Sequence, residues 1–220
     1  ARPHGAVKAP PAAPLARRLG LVDYEPVWRR MQRFTDERGP NTPDELWSLQ
    51  HPPVFTLGMN ADATHVLAPG DIPVIPIDRG GQVTYHGPGQ LVVYVLVDLG
   101  RRSLVVRELV MALERAVIET VAHYGVEAYP RRDAPGVYVD GSKLASLGLR
   151  IRRDCSYHGL ALNVDLDLEP FHRINPCGYE GMQVTRLRDL GVAAPLEEVE
   201  DRLLAALAGA LATATSPDAA

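Results

Sequence analysis

Residues 79–94 read R-G-G-Q-V-T-Y-H-G-P-G-Q-L-V-V-Y. The first eleven hold four glycines, one proline, one arginine and one histidine, and the stretch then becomes a continuous apolar run. Glycine lets backbone lie against a ligand and supplies positive φ where a turn needs it. Arg79 and His86 bring side-chain donors to the same place. The run from Gln90 to Leu99 is short, apolar and β-branched, the pattern of a strand covered on both faces. The stretch therefore predicts a ligand-approaching loop that feeds a buried strand.

Around it, short apolar segments alternate with turn signals. Strands are expected at 15–23, 45–50, 54–58, 126–129 and 155–165, with an edge strand or extended lead-in at 73–78. Helical spacing predicts a helix at 26–38, closed by Gly39-Pro40. A short helix capped by Asp62 is expected at 62–67. Residues 103–124 predict the longest helix, with Ser103 as N-cap and Gly125 as its stop. Asp140-Gly141 predicts a hairpin across 136–150, with Lys143 just past the turn. Gly148 in mid-strand predicts something pressed against the backbone. Gly159 and Ala161 share a face bare of bulk, suited to one wall of a slot. A turn is expected at 171–178, and helical segments at 184–190 and 195–211. His51, beside two prolines, is expected in a loop, and His65 at the surface. The fold class is α+β (mixed α/β): a central mixed β-sheet with flanking helices. The expected domains are a disordered tail at 1–14, one catalytic domain at 15–211 and a flexible tail at 212–220.

Composition narrows the function. The 220 residues are 46% hydrophobic and 23% charged, with net charge −4. That balance gives no general case for nucleic acid or an anionic membrane. No apolar run approaches the roughly 18–20 residues of a membrane span, and no signal-peptide pattern opens the chain. Two cysteines, Cys155 and Cys177, do not make a disulfide framework and suit a reducing, cytoplasmic setting. The seven histidines lack metal-ligand spacing, so no metal or cofactor is expected. Of 23 basic residues only Lys8 and Lys143 are lysines. A lysine can exchange a proton near neutral pH where arginine cannot, so the lone internal lysine hints at proton transfer.

The stretch 79–94 resembles the signature of the lipoyl(octanoyl) transferases. So do K-L-A-S-L-G-L-R at 143–150, H-G-L-A-L-N-V at 158–164, and P-C-G at 176–178 followed by V-T-R-L at 184–187. The order and spacing match across about residues 15 to 210. The resemblance implies the fold of the lipoate ligase and biotin protein ligase catalytic domains. It implies transfer of an octanoyl group from octanoyl-acyl carrier protein to a lysine of a lipoyl domain. The acceptors would be 2-oxoacid dehydrogenase E2 subunits and the glycine cleavage H protein. Substrate contacts would come from Arg79, Gly80, Gly81, Gln82, Val83, Thr84, Tyr85 and His86, from Ser146, Leu147 and Gly148, and from Gly159, Leu160 and Ala161.

The chemistry suits these residues. Acyl transfer from thioester to amine can pass through a cysteine acyl-enzyme. A free cysteine is only a few per cent thiolate at neutral pH, and a neighbouring lysine corrects this as ammonium or as base. Cys177 is expected to be the nucleophile and Lys143 its partner, since Cys155 sits in a strand without an exposing turn. Val83, Tyr85, Leu147, Gly148, Gly159 and Ala161 are expected to hold the acyl chain. Backbone N–H groups, or His86 or His158, would face the oxyanion; either histidine could instead tie loop to strand. Arg131, Arg132, Arg150, Arg152 and Arg153 are a candidate landing patch for acidic partners. The alternatives are an ATP-dependent lipoate- or biotin-type ligase, marked by ATP-dependent turnover, and a non-catalytic carrier-protein binding module, marked by binding without transfer.

Overall fold

The computed structural model describes residues 11–175 and 181–213. Seven strands form one sheet in the order β1 (Leu15–Leu21), β2 (Glu45–Gln50), β6 (Gln90–Leu96), β10 (Cys155–Asn163), β9 (Ser142–Arg152), β8 (Val137–Val139), β7 (Tyr129–Pro130). β1 and β2 are parallel because helix α1 (Tyr24–Glu37) crosses between them; every other pair is antiparallel. A second sheet places β3 (Val54–Leu57) between β4 (Val74–Pro76) and β5 (Val83–His86). β4 is therefore an edge strand, which its prolines require.

β6 is the spine of the large sheet, and all seven of its residues are buried. Leu91, Val93 and Val95 face one core, where α3 (Val106–Ala122) and α4 (Leu196–Thr213) pack. Leu109, Leu113, Val117 and Val121 give α3 its apolar stripe at four-residue intervals. Val92, Tyr94 and Leu96 face the other core, closed by Tyr24, Val27, Trp28 and Met31 of α1. Alternation along one strand thus sends helices to both faces.

A buried carboxylate fastens the ends of these elements. Asp44 accepts from Arg38 Nη2 at 2.6 Å, Arg101 Nη2 at 2.8 Å, Arg102 Nε at 2.6 Å and the Asp98 backbone N–H at 2.9 Å. Arg102 also donates to Leu211 O at 3.3 Å and to Ala12 O at 2.7 Å. One cluster joins the end of α1, the end of α4 and the chain ahead of β1.

The hairpin lies where Asp140-Gly141 predicts it, with φ of 47° and 83° at the two turn residues. Other expectations are corrected. Ser103 is not an N-cap: at φ 54° it closes a separate one-turn helix, α2 (Leu99–Arg102), that Asp98 caps through the Arg101 N–H. α3 starts at Val106, where Glu108 accepts from the Val105 N–H. At 17 residues it is shorter than α4, which has 18. The strand expected at 126–129 shrinks to Tyr129–Pro130. The helix expected at 184–190 is a 3₁₀ turn over Leu187–Leu190, preceded by Val184 bridged to Lys143.

Gly159 sits where β10 pairs with β6, and a Cβ there would lie 2.2 Å from Val93 O. Gly159→Ala should lower the urea midpoint by the equivalent of about 1–3 kcal/mol. Gly209→Ala, in α4 with open space around it, should raise the midpoint by up to about 1 kcal/mol.

Candidate active site

The glycine loop is held from both sides. Gly58 N–H, just past β3, donates to Gln82 O at 2.8 Å, and Gly80 N–H donates to Leu149 O of β9 at 2.9 Å. The buried Arg79 guanidinium donates to Thr56 Oγ1 at 2.9 Å and Thr56 O at 3.1 Å. At Gly148 a Cβ would lie 3.1 Å from Arg79 Cδ and 3.2 Å from Gly80 O, the close approach that the mid-strand glycine predicts.

Between loop and sheet runs a narrow slot. Arg79, Gly81, Gln82, Val83, Thr84 and His86 border it from the loop and β5. Ser146, Leu147 and Gly148 border it from β9, and Gly159, Leu160 and Ala161 from β10. Its floor is two cross-strand rows. Ser146 pairs with Ala161, which pairs with Val92; Gly148 pairs with Gly159, which pairs with Tyr94. The floor is low over β9 and β10 and rises at Tyr94.

Two expected contact residues do not border this slot. The Tyr85 ring turns away to pack against Phe55 and Phe171, each at 5.5 Å. Gly80 borders a second cleft with Lys143, Val106, Val110 and Pro135. The two hollows share Gly81, Gln82, Leu147 and Gly148 as a common wall.

Lys143 is 2% exposed. Its Nζ lies 5.8 Å from the Tyr138 ring centroid. Its backbone N–H donates to Gln183 O at 2.8 Å, and its carbonyl accepts from Thr185 N–H at 2.9 Å. Cys177 lies outside the described residues. Asn175 before it is fixed by an N–H to His65 O bond of 2.8 Å. Cys155 is buried, and burial pushes its thiol up, away from the thiolate.

Three residues that border the slot were not expected there, Tyr24, Val92 and Tyr94; His158, expected to face the oxyanion or to tie loop to strand, borders it as well. His51, expected in a loop, is fully buried beside them. The partners of the three histidines fix their tautomers. His51 Nδ1 donates to Val22 O at 2.7 Å, so its Nε2 accepts from the Tyr94 hydroxyl at 2.6 Å. Gln90 Nε2 donates to Tyr85 O and Asn163 Oδ1, so Gln90 Oε1 accepts from His86 Nδ1 at 2.7 Å. His158 Nε2 donates to Asp78 Oδ1 at 2.8 Å. What remains on His86 is the Nε2 lone pair. On His158 it is Nδ1, buried and without a partner among the described residues. Neither ring has an N–H left to donate to a ligand, and His158 ties the segment ahead of the glycine loop to β10.

Burial keeps these rings neutral. It lowers His51 to about 4 and His86 to about 3. It lowers His158 too, although the Asp78 hydrogen bond pulls the other way. Asp78 accepts from Trp28 Nε1 at 2.7 Å, Gln32 Nε2 at 3.1 Å, His158 Nε2 and the Tyr157 hydroxyl. Burial would raise this carboxyl, but the bonds from His158, Tyr157 and Gln32 outweigh it and hold it well below the usual range.

Four of the five arginines expected as a landing patch, Arg131, Arg150, Arg152 and Arg153, have partners within the chain. Arg152 pairs with Asp36 at 2.9 Å, and Arg153 donates to Thr35 O and Asp36 O at the end of α1. Arg131 pairs with Asp133, and Arg150 Nη1 lies 3.1 Å from Met59 Sδ. Among the described residues no three His, Cys, Asp or Glu side chains gather as a metal site, and no helix is long and apolar enough to cross a membrane.

Residues 23–208 match the family model of the lipoyl protein ligase A/B catalytic domain. The chain is 61% identical over 194 residues to a protein of Alkalilimnicola ehrlichii named octanoyltransferase, covering 86% of this chain and 90% of that one. Its fold matches a bi-partite lipoate protein ligase from Thermoplasma acidophilum, with TM-score 0.68 at 18% identity over 90% of this chain and 84% of that one. It also matches the biotin protein ligase of Aquifex aeolicus in complex with biotin and ATP, with TM-score 0.57 at 14% identity over 90% and 70%.

Two predictions follow from the charge state of the site. Asp78→Asn turns an amide N–H₂ toward four donors and should cost about 2–4 kcal/mol in urea denaturation. Below pH 6.5 the unfolded chain protonates His51 and His86 while the folded chain does not, until about pH 4 and 3 respectively. Stability should therefore fall with pH in that window, by up to about 1.4 kcal/mol per pH unit for each ring. His51→Gln should remove about one ring's share of that slope in denaturation curves from pH 7 to 5.

Proposed function

The chain belongs to the lipoyl protein ligase A/B catalytic-domain family, and from that premise we propose that it transfers an octanoyl group from octanoyl-acyl carrier protein to a lysine of lipoyl domains. The acceptors are the lipoyl domains of 2-oxoacid dehydrogenase E2 subunits and the glycine cleavage H protein. The observation that carries this reading is the common wall of Gly81, Gln82, Leu147 and Gly148 between the slot and the Lys143 cleft. An acyl tail in the slot brings its carbonyl end toward the lysine. Burying about seven methylene-sized groups contributes roughly 5–6 kcal/mol before ordering costs.

The proposed chemistry has two steps. The Cys177 thiolate attacks the thioester carbonyl, a new C–S bond forms, and the carrier thiolate leaves with a proton from the Lys143 ammonium. The target lysine, as a free amine, then attacks the acyl-cysteine. Its C–N bond forms, the Cys177 thiolate leaves, and Lys143 takes the proton that the amine loses. Backbone N–H groups of the glycine segments face the developing oxyanion. The bond between Lys143 and the Gln183–Thr185 segment supports this pairing, since it fastens the chain that follows Cys177 alongside the lysine.

The test is intact-protein mass after mixing with octanoyl-acyl carrier protein. Wild type and Cys155→Ser should gain about 126 Da as a hydroxylamine-sensitive adduct, and Cys177→Ser should not. Lys143→Met should slow adduct formation by at least about a hundredfold. Transfer without any adduct would overturn the acyl-enzyme. Turnover only with ATP and free acid would favour the ligase reading.

A further inference from the structure

We propose that Tyr94 and Tyr24 form an end wall that sets the length of the acyl chain, a proposal that rests on the acyltransferase reading above. The floor row runs across three strands, from Gly148 of β9 over Gly159 of β10 to Tyr94 of β6. Neighbouring strands lie about 4.8 Å apart, so two spacings span roughly 9.5 Å. An extended alkyl chain with bonds of about 1.5 Å advances about 1.25 Å per bond, so the seven C–C bonds of an octanoyl group reach about 9 Å. The β9 end belongs to the reaction, because Gly148 also borders the Lys143 cleft. The β6 end is where the tail arrives.

That end is rigid. Tyr94 is 4% exposed and donates its hydroxyl to His51, which is in turn fixed on Val22 O. Tyr24 packs against the His51 ring at 4.9 Å and stacks on His86 at 5.8 Å. His86 is held by Gln90. No ring can swing aside without losing a hydrogen bond or a stacking partner in a buried site.

The end wall is also polar. His86 Nε2 and His158 Nδ1 are lone pairs at the slot. A longer tail must clash with Tyr94 and must also press its methylenes against buried polar atoms it cannot satisfy. Steric and polar mismatch therefore rise together beyond the third strand.

The experiment offers carriers loaded with 6-, 8-, 10- and 12-carbon acyl groups, in pairwise competition, to wild type, Tyr24→Ala and Ala161→Val. Tyr24→Ala opens the end wall and removes the hydrogen bond between the Tyr24 and Tyr94 side chains, while the bond of Tyr94 to His51 stays available. Its preference for 12 over 8 carbons should rise at least about tenfold relative to wild type. Ala161→Val adds bulk on β10 in the neighbouring row, beside the tail's path and one strand before Tyr94, and should move preference toward 6 carbons by a similar factor. Circular dichroism and retained transfer from at least one donor show that each variant is folded. Ratios within twofold of wild type in either folded variant would overturn the end wall. Should wild type transfer no acyl group from any carrier, the failure would lie with the acyltransferase reading instead.

Discussion

The site depends on one anion meeting four donors. Asp78 sits ahead of the glycine loop and gathers Trp28 and Gln32 from α1 with Tyr157 and His158 from β10. Helix and strand come from opposite ends of the sequence, and the carboxylate sets their separation. A charge so well satisfied can remain ionised in a half-buried place. In the same act it takes the Nε2 proton of His158 and leaves the other nitrogen bare. The slot then inherits a polarity decided by a residue that does not itself border it.

Neutrality has a functional side as well. Histidines near an acyl-transfer centre invite a role as proton carriers. Here the rings are buried, hydrogen-bonded and uncharged, with their N–H groups committed to Asp78, Gln90 and Val22. They act as fixed walls. In the chemistry proposed above, proton traffic falls to Lys143, the internal lysine in a chain that otherwise uses arginine.

What could be read from the sequence follows the range of the forces involved. The strand at 90–96, the Asp140-Gly141 hairpin and the crowding at Gly148 are local or compositional, and the structure has them. Gly159 and Ala161 were legible as a bare face because alternation is local. Ser103 misled because a serine before an apolar run fits a helix start; the D-L-G-R-R segment ahead of it forms its own turn. Tyr85 misled because the resemblance marks a segment, whereas strand alternation sends its neighbours Thr84 and His86 the other way. His51, Tyr24 and Asp78 were not legible at all. Nothing local distinguishes them, and only the packing of α1 on the sheet brings them together.

The order of strands also governs when the molecule can exist. β6 has β2 before it in the chain but waits for β10 to cover its other edge. Asp78 and Tyr157 are 79 residues apart, and Arg102 and Leu211 are 109 apart. A chain emerging from the ribosome therefore carries the seven-residue apolar β6 exposed until β10 has been made. Such long-range pairing slows folding and leaves that strand open to other chains in the interval. The spine of the finished sheet is, during synthesis, a strand still lacking one of its two partners.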